Sequence, residues 1–155
     1  MDNAFMQEAI RLAMENVRSG RGGPFAAIVV KQGRVVASGT NGVTSTNDPT
    51  AHAEVTAIRE ACRALNAFQL TGCELYTSCE PCPMCLGAIY WARPDRVYFA
   101  ATACDAADAG FDDSFIYNEL KLPFSERRIP FEATMREAGL EPFRAWIQKD
   151  DRIRY

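Results

Sequence analysis

Two short stretches lie about thirty residues apart: Pro49-Thr50-Ala51-His52-Ala53-Glu54-Val55 and Thr77-Ser78-Cys79-Glu80-Pro81-Cys82-Pro83-Met84-Cys85. Between them they hold one imidazole, two thiols at C-x-x-C spacing and a carboxylate two residues past the imidazole. His52 is the only histidine in the chain. Any chemistry that needs an imidazole must use it, so a fold built on these motifs has to bring residue 52 against residues 82 and 85. Three such donors suit a tetrahedral zinc ion whose fourth position is left to water, with Glu54 beside it as a general base. Mixed imidazole and thiolate ligation favours zinc over harder cations.

Taken separately, each motif has a blander meaning. A lone C-x-x-C in an α/β protein can be a redox pair. A His-Ala-Glu at a helix start can be a capped surface turn. A structural zinc would want a fourth protein ligand, for which Cys79 is the nearby candidate. Taken together, with both prolines around Cys82 and no other histidine to serve, the motifs favour a catalytic zinc.

Composition narrows the setting. A chain of 155 residues is most simply one domain, residues 1–155, large enough for a proper core. The net charge of −3 argues against a surface made to hold a long nucleic acid, which wants a basic stripe. The start, Met1-Asp2-Asn3-Ala4, lacks the basic and apolar regions of a secretory leader. Six cysteines in such a chain read as ligands and buried thiols rather than disulfides, and the expected location is cytoplasmic.

Hydrophobic spacing predicts a helix over 2–18, with Phe5, Met6, Ala9, Ile10, Ala13, Met14 and Val17 on its apolar face and Asp2 or Asn3 as cap. A hairpin follows, with strands at 25–30 and 34–40 around a Gln32-Gly33 turn. Residues 41–50 read as a polar loop of the kind that carries function. A helix is expected over 51–65, capped by Asp48 or Thr50. Next come a strand at 74–77, a helix from Pro83 to about Trp91 stopped by Pro94, and a strand at 96–100. Beyond residue 101 the pattern suggests a helix over 105–120 broken at Gly110, a last strand at 129–133, and a helix over 134–147 broken at Gly139 and Pro142. The alternation of strands and helices suggests parallel pairing and a three-layer α/β/α arrangement.

On this framework His52 falls in the first turn of one helix and Cys82 and Cys85 at the start of another, three apart, so that the sulfurs face the same way. The positive end of each helix dipole favours thiolate over thiol. Glu54, about 200° around the helix from His52, is directed at the water on the metal rather than at the metal itself. That is the placing wanted of a proton shuttle.

The motifs match the H-x-E…P-C-x-x-C pattern of zinc deaminases. PTAHAEVTAIR and TSCEPCPMCLGAIYWARP resemble the cytidine deaminase-like superfamily. Within it, NGVTSTNDPTAHAEVTAIR, CEPCPMCLGAIYWARP, DAADAGFDDSFIYNEL and the terminal tyrosine are similar to the guanine-deaminating branch, over nearly the whole chain. The resemblance implies a five-stranded mixed sheet with helices on both faces. It implies one Zn2+ per subunit, held by His52, Cys82 and Cys85, with Glu54 catalytic and guanine as the small-molecule substrate in purine catabolism or salvage. Asn41 then hydrogen-bonds the purine, and Asp113 reads the guanine edge and assists proton transfer. Ala53, Phe25 and Trp91 contribute to the substrate pocket. A homodimer with exchanged C-terminal segments is implied, Tyr155 being delivered by the partner subunit, with neither nucleic acid nor membrane as partner.

Such a pocket makes chemical sense, because guanine presents two donors beside a carbonyl acceptor. A carboxylate accepts, and an amide both donates and accepts. Without the resemblance, Asn41 reads as a turn residue, Asp112 and Asp113 as a helix cap, Phe25 and Trp91 as core, and Tyr155 as a frayed end. The alternatives in function are a tRNA adenosine deaminase or another nucleobase or nucleoside deaminase and, from a different class, a non-catalytic zinc-binding interaction domain.

Overall fold

A computed structural model describes residues 3–155. The chain divides into two compact units, Met1–Asp113 and Ser114–Tyr155.

The first unit is built on a four-stranded sheet in the order β2-β1-β3-β4. Its elements are α1 (Asn3–Arg18), β1 (Ala26–Lys31), β2 (Arg34–Thr40), α2 (Val43–Thr46), α3 (Ala53–Leu65), β3 (Cys73–Cys79), α4 (Pro83–Ala92), β4 (Arg96–Ala101) and α5 (Ala103–Asp108). β1 runs antiparallel to both β2 and β3, and β3 pairs parallel with β4 across the α4 crossover. Alternation along the strands sorts the core into two faces. Ala27, Val29, Cys73 and Leu75 pack with Ala57, Ile58 and Ala61 of α3 and Ile89 and Ala92 of α4. Ile28, Val30 and Tyr76 meet Phe5, Met6 and Leu12 of α1. Helices therefore cover both faces, as the sequence implies.

Three expectations need correction. The sheet has four strands among the described residues, not five. The segment 129–133 forms no ladder. Pro130 within it has no N–H to donate, which removes a ladder hydrogen bond at its centre. The buried face of α1 is Ala9, Ala13 and Asn16, whereas Ile10, Met14 and Val17 are exposed. The expected cap at Asp2 lies outside the described residues, and Asn3 is the first helical residue. Finally, α3 begins two residues later than expected. Its N-cap is His52, and neither Asp48 nor Thr50 caps it; Asp48 Oδ1 instead accepts from the Thr50 N–H and hydroxyl.

The second unit holds α6 (Ser114–Lys121), a 3-10 turn at Phe124–Glu126, and α7 (Arg136–Gln148). Gly110 does separate α5 from α6, but α7 runs through Gly139 and Pro142 unbroken. Arg127 stacks its guanidinium over the rings of Phe124 and Phe131, at 4.6 and 5.2 Å from their centroids. No side chain in this unit is buried. No helix among the described residues is long and apolar enough to cross a membrane.

Candidate active site

One edge of the sheet collects chain from all four strands. Phe25 precedes β1, Asn41 follows β2, Cys79 ends β3 with Glu80 just after it, and Ala103 lies just beyond β4. Register keeps them level: Ala26 pairs with Thr40, Ala27 with Thr77, and Cys79 with Ala101. Loop hydrogen bonds hold the rim. The Asn41 N–H donates to Phe25 O at 3.0 Å, the Ala26 N–H to Ser78 Oγ at 3.0 Å, and the Ala103 N–H to Glu80 Oε2 at 2.9 Å. The result is a cavity of about 380 Å³ within the first unit. That is within the range of small-molecule sites.

His52 and Cys82 are the N-cap residues of α3 and α4, both in extended conformation, rather than members of the first turns. Cys85 lies one turn into α4 behind Pro83, whose missing N–H costs nothing at that position. Two helix starts thus converge on one point. The ligand atoms of His52, Cys82 and Cys85 all lie within 4.8 Å of one another. A nitrogen at about 2.0 Å and a sulfur at about 2.3 Å from a tetrahedral zinc stand about 3.5 Å apart. His52 Nδ1 is 3.5 Å from both the Cys82 and the Cys85 Sγ, so the three donors fit the ion. Cys79 is not in the cluster. Its thiol donates to Thr102 O at 3.6 Å, and burial pushes it up to about 11. A fully protein-ligated structural zinc loses its fourth ligand there.

The electrostatics describe a pair of thiols sharing one charge. The hydrogen bond with the Cys85 thiol, then that with the His52 ring, bring Cys82 down to about 4 against the opposing effect of burial. Cys85 is pushed up, first by its hydrogen bonding with Cys82, then by burial and the nearby Glu54 charge. His52 is raised, chiefly by its hydrogen bond with Cys82.

Glu54 sits beside this cluster but outside it. Its side chain is buried, and its Oε2 accepts from Cys85 Sγ at 3.4 Å. Burial raises its carboxyl above the ordinary value. Asp113 also lines the cavity and is raised, first by burial and then by the negative charge of Cys82.

Asn41 and Phe25 line the cavity as well. Other expected residues fall elsewhere. Ala53 is fully buried where α3 meets β2 and does not line the cavity. Trp91 lies on α4, 63% exposed, outside the lining. Tyr155 belongs to the second unit and is exposed. The sequence reading missed Phe111, which stands edge-on to Phe25 with ring centroids 4.9 Å apart, and the floor formed by Ala103 and Ala106. A readable signal existed for α5. Thr102 and Asp105 form a capping box, and that T-x-x-D spacing marks a helix start at residue 103.

These features define a class. Residues 1–101 match the cytidine and deoxycytidylate deaminase zinc-binding region, and the chain belongs to that family. Within the class, it is 61% identical to the guanine deaminase of Bacillus subtilis (strain 168) over 142 residues, covering 92% of this chain and 91% of the relative. The X-ray structure of guanine deaminase from Bacillus subtilis superposes with a TM-score of 0.97 at 57% identity, covering 100% of this chain and 99% of the other. A tRNA-specific adenosine deaminase of Aquifex aeolicus (strain VF5) is 37% identical over 145 residues, 94% of this chain and 93% of that one.

Proposed function

We propose that the chain is a zinc-dependent guanine aminohydrolase, converting guanine and water to xanthine and ammonia. The observation that carries this reading is the cavity itself, which sets Asn41, Phe25 and Asp113 around the His52–Cys82–Cys85 cluster with Glu54 alongside. The likeness to guanine deaminase over nearly the whole of both chains supports the choice of base.

When held by His52, Cys82 and Cys85, zinc supplies Lewis-acid activation of the attacking water. The remaining work belongs to the chain. Glu54 takes a proton from the water that attacks carbon 2 and passes it to the neighbouring ring nitrogen; it then takes the second proton from the new hydroxyl on carbon 2 and gives it to the amine, which leaves as ammonia as the carbonyl forms. Its raised affinity for a proton suits a group that must both accept and return one. The Asp113 carboxylate accepts from the ring N–H and exocyclic amine, and assists proton transfer to the leaving group. Phe25 and Phe111 form an apolar wall for the flat ring.

In the same reading the whole chain acts as one catalytic domain, and the second unit is exchanged between two copies in a homodimer. Support comes from the side chains that unit leaves in solvent: Phe131, Met135, Phe143, Ile147 and Ile153 are all exposed. Exposed apolar side chains in this number favour burial against a second copy. Tyr155 then closes the partner's cavity, and Trp91, exposed with Leu86 and Tyr90 on α4, contributes where the copies meet. All six cysteines are free, which suits a reducing compartment, and we place the enzyme in the cytoplasm.

The test is ammonia release by zinc-loaded protein from guanine, adenine, cytosine, cytidine and a tRNA anticodon stem-loop, side by side. Turnover of guanine alone is expected. Turnover of the stem-loop in preference to guanine would replace the small-molecule reading with a nucleic-acid one.

A further inference from the structure

Asn16 is a costly residue for its position. It lies near the end of α1, 1% exposed, and is buried there with Ala9 and Ala13. Its Oδ1 is the only buried side-chain polar atom among the described residues that has no hydrogen-bond partner. A buried polar group left half satisfied disfavours the fold unless its other half does something needed.

The other half holds a loop. Both hydrogens of the Asn16 amide are used: one donates to Gly23 O and the other to Asn41 O, each at 2.9 Å. The loop closes on itself through the same two residues. The Gly23 N–H donates to Asn41 Oδ1 at 3.4 Å, and the Val43 N–H donates to the same oxygen, also at 3.4 Å. Gly22 completes the cradle, because a Cβ there would come within 2.0 Å of Asn41 O. The Asn41 carbonyl is thus gripped on one side by Asn16 and approached on the other by bare backbone.

This arrangement decides which way the Asn41 side chain faces. Two backbone donors converge on one terminal atom, and that atom must be the oxygen, since an NH2 cannot accept. Asn41 Oδ1 is therefore committed to the loop, and Nδ2 is the group left for the cavity that Asn41 lines. We infer that Asn16 is a positioning residue that fixes Asn41 as a hydrogen-bond donor to the bound base, so that Asn41 reads an acceptor on the purine. The donors of guanine fall to Asp113. The inference rests on guanine being the substrate and adds a division of labour to that reading.

The experiment is a double-mutant cycle on steady-state guanine deamination. Asn16→Asp keeps the shape and removes both donors. Gly22→Ala displaces the same carbonyl, its Cβ falling 2.0 Å from Asn41 O and 3.1 Å from Asn16 Nδ2, and carries the test if the Asn16 substitution does not fold. Each is made alone and together with Asn41→Ala, with thermal melts run on all variants. Either single change should raise KM about fivefold to tenfold, the effect of one lost hydrogen bond, with kcat within about twofold of the parent. In the Asn41→Ala background the same changes should leave KM within about twofold, because the group they position is gone. A full additive increase in that background, or a folded single variant with unchanged KM, would overturn the role of Asn16. Failure of the unaltered protein to deaminate guanine would remove the substrate reading along with it.

Discussion

Glu54 is where burial and chemistry pull against each other. Removing a carboxylate from water favours its protonated form, and a buried, raised carboxyl destabilises the fold at any pH where it must ionise. Glu54→Gln keeps the shape and removes that charge. The variant should bind zinc as well as the parent, measured as metal per chain, and metal-free protein should melt no lower than the parent. Its kcat should fall at least about a hundredfold, the usual scale of a lost general base. Retention of more than a few per cent of turnover would take the proton shuttle away from Glu54.

The same inert variant isolates Asp113. Burial and the Cys82 charge lift its carboxyl above the ordinary value. If ionised Asp113 accepts from guanine, affinity should hold at neutral pH and weaken as pH falls through that raised value, which lies above an ordinary aspartate's. Calorimetric binding of guanine to the Glu54→Gln protein would show this acid limb with Glu54 out of the titration. Affinity that stays flat down to about pH 4, where a free aspartate titrates, would leave Asp113 without the role.

At the level of elements, the site depends on how closely β2 lies against the start of α3. At Gly39 an added Cβ would fall 2.3 Å from Ala53 O and 2.5 Å from Ala57 N, both backbone atoms that cannot swing aside. Gly39→Ala must therefore push out the helix end that carries His52 and Glu54. The variant should melt lower, by an amount typical of an overpacked core, about 1–3 kcal/mol, and should hold zinc more weakly in competition with a chelator. Unchanged metal affinity in a folded variant would show that the helix start is positioned by something else. The periodic elements were legible because local pattern and burial agree there: the hairpin, β3, α4 and β4 all fall within a few residues of where apolar runs and prolines place them. The first helix was legible in extent and in part of its facing, since Phe5 and Met6 pack on the core and Ala9 and Ala13 are buried as expected. Its large apolar residues Ile10, Met14 and Val17 are exposed, and the small face with Asn16 is buried. Only a partner element can make a helix prefer alanine to isoleucine at its contact. The metal ligands were legible from residue type and spacing alone. Phe111 was not, since it enters the cavity by tertiary approach from a segment with weak periodicity, and α5 was marked only by its capping box.

For the molecule as a whole, the proposed exchange of the C-terminal unit predicts a result that neither subunit can give alone. In a two-fold dimer with swapped segments, each cavity takes Glu54 from one copy and Tyr155 from the other. Chains carrying Glu54→Gln have no working base, and chains lacking Tyr155 cannot close the neighbouring cavity. Either homodimer should therefore be impaired, with Tyr155 deletion leaving folding intact because that side chain is 71% exposed. Coexpression of the two forms should restore activity. Random pairing makes about half the dimers mixed, and each mixed dimer joins one intact Glu54 to one intact Tyr155, so recovery should approach about a quarter of the parent's activity. Separately tagged chains, purified through both tags in turn, would isolate the mixed species and bring it to about half. Light scattering should report a dimer throughout. If the doubly purified species is no more active than the mean of its parents, the tyrosine does not act across the interface. A monomer in solution with full activity would remove the exchange altogether while leaving the zinc cluster and its cavity as described.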